Sequence, residues 1–173
     1  MSAFADEVAA TGRPRPAVAV VALGANLGDR EAALTSALTA LAELPLTDLV
    51  RASAALETIA VTTSGADADR PRYLNAVALV ATRLAPSLLL EELHRIEADH
   101  GRERRERWGD RTLDLDLVSY GDIVSDDDRL VLPHPRAGER DFVMVPWLEV
   151  DAGAHLPRVG AVSDVLARLQ AAS

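Results

Sequence analysis

Two aspartates, Asp114 and Asp116, alternate with leucines in the LDLDL segment of residues 113–117. Successive side chains of a β-strand point to opposite faces, so a strand here places the three leucines on one face and both carboxylates on the other. Two carboxylates on one face repel each other unless a cation lies between them. Mg²⁺ fits two oxygen ligands that are completed by water and substrate phosphates. A strand with one solvated face is the alternative interpretation, and the segment alone does not decide between them.

An arginine-rich stretch precedes this segment, and it has acidic residues interleaved with the arginines. A solvated charged loop is one interpretation. Trp108 favours a second interpretation, because a tryptophan in a polar loop has no apolar core to pack against. A mobile lid over residues 102–108 would bring guanidinium donors to phosphates and an aromatic wedge that excludes water.

Further polar and aromatic side chains lie together in other segments. Asn75 has a donor and an acceptor on one amide, which suits the edge of a heterocycle. Tyr73 and Phe142 offer stacking faces, with ordinary core packing as the alternative. His134 and Arg140 lie in or near a proline-rich loop, where phosphate contact is favoured over metal binding because no second histidine has ligand spacing.

Composition limits the class of protein to which the chain belongs. The 173 residues, with a formal net charge of −9, predict one acidic globular domain that binds neither nucleic acid nor membrane. The chain has no cysteine and no lysine, which excludes disulfides, thiolate chemistry, Schiff bases and a Walker-type lysine. Residues 1–16 have no apolar signal segment, so we expect a flexible leader, a domain over residues 17–173 and a cytoplasmic location.

The hydrophobic pattern predicts the order strand, helix, strand, strand, helix, strand. That order is typical of a ferredoxin-like α+β fold, with a βαββαβ core, an antiparallel sheet and helices packed on one face. Asp29 is predicted to cap the first helix and Ser87 the second. The predicted strands span residues 17–23, 48–58, 73–82 and 113–120, with a loop over 61–72, a second helix that Gly101 ends, and a C-terminal helix over 164–170.

Four motifs together resemble the 6-hydroxymethyl-7,8-dihydropterin pyrophosphokinase family of folate biosynthesis. The motifs are ALGANLGDR from Ala22, YLNA from Tyr73, RWGDRTLDLDLVSYGD from Arg107 and LVLPHP from Leu130, and the resemblance spans about residues 17–158. It implies Mg²⁺-dependent transfer of pyrophosphate from ATP to the hydroxymethyl group of the pterin, with release of AMP, by a monomer.

The resemblance also implies a role for individual residues. Asp114 and Asp116 would hold two Mg²⁺ ions, and Arg102 and Arg104 would act in catalysis. The pterin would be bound by Thr58, Tyr73, Asn75 and Phe142. The ATP site would be lined by Glu97, Arg102, Arg104, Trp108, Arg111, Arg129, His134 and Arg140.

The chain departs from the family pattern at a few positions. Asp110 stands where the family usually has proline, and Val131 stands where serine or threonine is common near the adenine. The loop after Thr58 is longer than usual. Two rival interpretations are a binding module of the same fold without catalysis, and a degenerate member that binds nucleotide without turning over pterin.

Overall fold

The computed structural model describes residues 15–58, 60–62, 65–67, 72–100 and 113–172. The strands are β1 (Ala17–Ala25), β2 (Thr47–Ala52), β3 (Leu56–Thr58), β4 (Ala60–Thr62), β5 (Gly65–Asp67), β6 (Tyr73–Thr82), β7 (Asp114–Tyr120), β8 (Ser125–Asp127), β9 (Leu130–Leu132), β10 (His155–Leu156) and β11 (Gly160–Ala161). The helices are α1 (Arg30–Ala42), α2 (Pro86–Asp99), α3 (Asp141–Val150) and α4 (Val162–Ala171), with a 3₁₀ turn at Ala137–Glu139.

The main sheet has the strand order β2-β6-β1-β7, and β3 also pairs with β6. Every neighbouring pair in this sheet is antiparallel. With α1 after β1 and α2 after β6, this topology is the predicted ferredoxin-like βαββαβ core, and the predicted fold class is confirmed.

The strands bury side chains on both faces of the sheet. Val21 and Leu23 of β1 pack into an apolar cluster with buried residues of α1 and α2, as predicted for the helices of the core. Val20 and Ala22 point to the opposite face, where buried residues of α3 and α4 form a second cluster. The helix predicted over 164–170 is confirmed as α4. Helix α3 was not predicted, and it forms one wall of the candidate site.

Helix α3 was missed because Pro146 lies inside it. Proline in a helix removes one backbone hydrogen bond, so the sequence alone disfavours a helix here. Val143, Met144, Trp147 and Val150 are nevertheless buried at helical spacing. Packing against the sheet therefore outweighs the local preference.

Three further local predictions were wrong. The single strand over 48–58 is divided into β2 and β3, because Ser53 between them pairs with Val77 through its backbone and its hydroxyl. Helix α2 begins at Pro86 after Ala85, without a side-chain cap, so Ser87 is not its cap. The predicted loop over 61–72 contains part of a two-stranded hairpin, β4–β5. Asp29 does cap α1, since its Oδ1 accepts the amide N–H of Ala32 at 2.9 Å.

Within the described ranges, none of the helices is both long and apolar enough to cross a membrane.

Candidate active site

Strand β7 separates its leucines from its aspartates, as the alternation predicts. Leu115 and Leu117 are 2% and 4% exposed and belong to the cluster under α1 and α2. Asp114 and Asp116 are half-buried and point to the other face, towards the α3 side. The two carboxylates therefore stand side by side at the edge of the sheet.

Three residues from three strands form a row across that face. Gly24 of β1 pairs with Asn75 of β6 on one side and with Asp114 of β7 on the other. Neighbouring strands lie about 4.8 Å apart, so the backbones at Asn75 and Asp114 are separated by about 10 Å. Gly24 has no side chain, and a Cβ there would come within 3.3 Å of Asn75 Oδ1. The space between the amide and the carboxylates is thus kept open by a glycine.

Asn75 is buried and held by Thr58. Its Nδ2 donates to Thr58 Oγ1 at 2.7 Å, across the pairing of β3 with β6. Tyr73 lies two residues before Asn75 on the same face and is half-buried. Phe142, at the start of α3, is also half-buried and packs against the apolar cluster on this face. The structure therefore brings all four predicted pterin residues to one face of the sheet.

Asp116 is the centre of a charged group. Arg140 Nη1 donates to Asp116 Oδ2 at 2.8 Å, and His134 Nε2 lies 3.8 Å from Asp116 Oδ1. The Arg140 guanidinium also lies 5.8 Å from the centroid of the Phe142 ring. Arg140 therefore contacts both a predicted metal ligand and a predicted pterin-stacking residue.

The loop after β9 orients His134. Its backbone N–H donates to Val118 O at 2.8 Å, and its Nδ1 accepts the N–H of Arg136 at 3.2 Å. Burial lowers the pKa of His134 below its usual value, Arg140 and Arg136 lower it further, and Asp116 partly offsets the shift. The imidazole is therefore neutral near pH 7, with its proton on Nε2, facing Asp116.

A cavity of about 280 Å³ lies beside β7. It brings together five of the residues predicted for the metal and ATP sites: Glu97, Asp114, Asp116, Arg129 and His134. His94 and Asp128 also line it and were not predicted. His94 precedes Glu97 by three residues on α2, so helical spacing could have identified it.

A second cavity, of about 470 Å³, lies at the end of β1 and was not predicted. Arg30, Glu57 and Arg72 line this cavity. Arg30 Nη1 donates to Glu57 Oε1 at 3.1 Å and to Arg72 O at 2.6 Å. Arg72 is itself paired with Glu57 at 3.6 Å. These contacts join the start of α1 to β3 and β6, next to Thr58 and Tyr73.

Several predicted residues lie outside the described part of the chain. They are Arg102, Arg104, Trp108 and Arg111, with the whole of the predicted lid over residues 102–108. The predicted leader is described only at residues 15 and 16.

Known proteins similar to this chain agree on one family. Residues 20–152 match the family model of 7,8-dihydro-6-hydroxymethylpterin-pyrophosphokinase (HPPK). The 2-amino-4-hydroxy-6-hydroxymethyldihydropteridine pyrophosphokinase of Haemophilus influenzae is 39% identical over 148 residues, which cover 86% of this chain and 90% of that protein. The protein of the same name from Pseudomonas aeruginosa is 40% identical over 145 residues, with coverages of 80% and 87%.

Solved structures share the fold. A crystal structure of HPPK-DHPS in complex with substrates has a TM-score of 0.67 at 11% identity, over 90% of this chain and 43% of that chain. Wild-type Plasmodium falciparum HPPK-DHPS has a TM-score of 0.64 at 12% identity, over 93% and 42%. This chain therefore spans less than half the length of those structures.

The fold and the family match define an α+β transferase of the diphosphate-transferring class. The chain belongs to the 7,8-dihydro-6-hydroxymethylpterin-pyrophosphokinase family, and it is a pyrophosphokinase.

Proposed function

We propose that this pyrophosphokinase transfers the terminal diphosphate of ATP to the hydroxymethyl group of 6-hydroxymethyl-7,8-dihydropterin, in a Mg²⁺-dependent reaction of folate biosynthesis. The observation that carries the proposal is the row of Asn75, Gly24 and Asp114. An amide suited to a heterocycle edge and a carboxylate suited to a metal ion lie on one face, on backbones about 10 Å apart. The open space over Gly24 is where the two substrates would meet.

The chemistry of Asp114 and Asp116 fits magnesium. Both are hard oxygen donors on one face of one strand, and both line the cavity beside β7. Among the described residues no group of three or more acidic, histidine or cysteine side chains converges as metal ligands. Two carboxylates, with water and phosphate oxygens at the other positions, match the way in which Mg²⁺ binds nucleotides in proteins. When bound, the ions would neutralise the phosphates and orient them.

Arg140 and His134 would serve the phosphates. The pair between Arg140 and Asp116 holds the carboxylate in place while no cation is bound. Its flexible guanidinium is suited to move to a phosphate oxygen when a cation takes over the carboxylate. The neutral His134 offers Nε2–H as a further donor, and Arg129 lies on the same cavity wall. Arg102, Arg104, Trp108 and Arg111 complete the proposed ATP site from the segment outside the described residues.

The pterin would bind beside Asn75. The Asn75 amide is already oriented by Thr58, so little ordering is needed when the edge of the heterocycle binds. Tyr73 and Phe142 would contact the faces of the ring. The hydroxymethyl group would then point over Gly24 towards the phosphates.

The proposed reaction depends little on covalent catalysis by the protein. The hydroxymethyl oxygen would attack the β-phosphorus of ATP and release its proton to water. The bond from that phosphorus to the oxygen that bridges the α- and β-phosphates would break as AMP leaves. Phosphoryl transfer of this kind depends on positioning and charge neutralisation. Two carboxylates with histidine and arginine side chains around one cavity meet that need.

A coupled AMP-release assay with ATP, Mg²⁺ and the hydroxymethyl-dihydropterin tests the proposal. We expect AMP and the pterin diphosphate in equal amounts, and no AMP without the pterin. Binding of both substrates without AMP would support the binding-module alternative. Binding of nucleotide without binding of pterin would support the degenerate-member alternative. Either result would overturn the proposed activity.

A further inference from the structure

Glu97 occupies an unusual place for a carboxylate. It lies on α2 immediately after Ile96, on the stripe that also buries Leu89 and Leu93 against the sheet. It is 1% exposed. Burying a carboxylate is unfavourable unless hydrogen bonds compensate it, so the position calls for a specific partner.

One such partner is the backbone of β7. Glu97 Oε1 accepts the amide N–H of Leu115 at 2.8 Å. Strand β7 is at the edge of the main sheet, with β1 on one side only. In an antiparallel pair, alternate residues direct their backbone groups to the partner strand. The Leu115 N–H points away from β1, and without Glu97 it would be an unpaired donor at a sheet edge.

Leu115 is the residue between the two candidate metal ligands. The backbone at Leu115 sets the spacing of Asp114 and Asp116. The bond from Glu97 holds this backbone on its outer side, and the pairing with β1 holds it on its inner side. The resemblance to the family suggests that Glu97 contacts ATP. The burial of Glu97 and the bond to Leu115 favour a different role.

We propose that Glu97 is a positioning residue, which holds the edge of β7 through Leu115 so that Asp114 and Asp116 present their carboxylates together to a divalent cation. This inference rests on the proposed function, since it takes the two aspartates as the metal ligands. Residues that hold metal ligands in place commonly change metal affinity or activity 10–100-fold when they are replaced.

The test compares three substitutions at Glu97 with a control on the same helix. Glu97→Gln keeps an acceptor oxygen at the same reach, Glu97→Met keeps the length without an acceptor, and Glu97→Asp keeps the charge but shortens the reach. Glu91→Met makes the same replacement on the exposed face of α2. Mn²⁺ is the probe, and its affinity is measured by calorimetry with a non-hydrolysable ATP analogue present. Amide exchange at Leu115 is measured by NMR.

We expect Glu97→Met to weaken Mn²⁺ binding by about 10–100-fold and to lose protection of the Leu115 amide. Glu97→Asp is expected to change both quantities in the same direction, and it keeps the test open if the methionine variant does not fold. Glu97→Gln should lose less than about tenfold and keep the protection. Glu91→Met should match the wild type in both.

Two results would overturn the inference. Unchanged Mn²⁺ affinity in a folded Glu97→Met or Glu97→Asp variant would show that the bond to Leu115 only stabilises the fold. If Glu97→Gln and Glu97→Met weaken binding of the ATP analogue equally in the absence of Mn²⁺, Glu97 contacts the nucleotide directly. Asp116→Asn is the reference for the underlying site: if it leaves Mn²⁺ affinity unchanged, the metal assignment itself fails, whatever the Glu97 variants do.

Discussion

The replacement Gly24→Ala tests pterin binding separately from the stability of the fold. A Cβ at this position would lie 3.3 Å from Asn75 Oδ1, a distance at which the neighbour must shift by a few tenths of an ångström. Asn75 has little freedom to shift, because its Nδ2 is bound to Thr58 Oγ1 at 2.7 Å. The added methyl group would also project into the space between Asn75 and Asp114. We therefore expect the variant to hold the amide in the wrong place for the pterin.

The expected loss of pterin affinity is about tenfold, which corresponds to about 1.4 kcal/mol, the size of one impaired hydrogen bond. Turnover should fall further, since a misplacement of about 1 Å can reduce a rate about 100-fold. The fold should remain close to wild-type stability, because the lower entropy of the unfolded chain favours the native state by about 0.4–1 kcal/mol. The close contact with Asn75 Oδ1 opposes that gain.

Calorimetric titration of the pterin, with a saturating ATP analogue, measures the affinity, and thermal unfolding measures the stability. Gly153→Ala is the matched control, since its Cβ would lie 3.6 Å from Asp151 Oδ1, at ordinary contact distance, in an exposed turn. The control should match the wild type in pterin affinity and gain about 0.4–1 kcal/mol in stability. Wild-type pterin affinity in a stably folded Gly24→Ala variant would refute the placement of the pterin over this row.

Four other predictions address the remaining parts of the site and the fold. Asp114→Ala and Asp116→Ala should each lower turnover by at least about 100-fold with an intact fold, and retention of a tenth of wild-type turnover would contradict the metal assignment. Asn75→Ala should weaken pterin binding by about 1–3 kcal/mol and leave ATP binding nearly unchanged in calorimetry, whereas an equal loss for both ligands would point to a purely structural role. Arg140 contacts residues of both proposed substrate sites, so Arg140→Met should make pterin affinity independent of whether the Mg²⁺–ATP analogue is bound. If the analogue changes pterin affinity in this variant as much as in the wild type, Arg140 does not connect the two sites. Tyr120 donates to Leu84 O at 2.6 Å, and burial raises its pKa above 10.0. The stability that this raised pKa contributes is present below pH 10 and lost as the pH rises through the folded-state value, so Tyr120→Phe should reduce the fall in unfolding free energy above pH 10 in denaturant titrations.

The sequence predicted the core of the fold because its strands and first helices follow simple periods. The run of valines and alanines in β6 is bounded as expected at Tyr73 and Thr82. Helix α3 was not predictable in the same way. Its formation depends on packing of Trp147 and Met144 against the far side of the sheet, which a local pattern interrupted by Pro146 does not show.

The site was predictable by residue type but not by arrangement. Alternation along one strand correctly separates the aspartates of β7 from its leucines. The row of Asn75, Gly24 and Asp114 depends on the register of three strands that are distant in the sequence, and a single sequence does not reveal that register. The bond from Arg140 to Asp116 likewise joins residues 24 positions apart, and Arg140 lies immediately before a helix that was not predicted.

Arg140 provides a physical reason for the two proposed substrate sites to communicate. Its guanidinium binds Asp116 at 2.8 Å and lies 5.8 Å from the Phe142 ring, so one side chain reaches both sites. A cation at the Asp116 carboxylate would compete with that bond for charge, and a shift of the guanidinium would change its position over the ring. Because linkage is reciprocal, binding of the metal–nucleotide would then alter pterin affinity by the factor by which the pterin alters nucleotide affinity. A binding module without catalysis has no need for such a connection, whereas an enzyme that must assemble both substrates before transfer benefits from it.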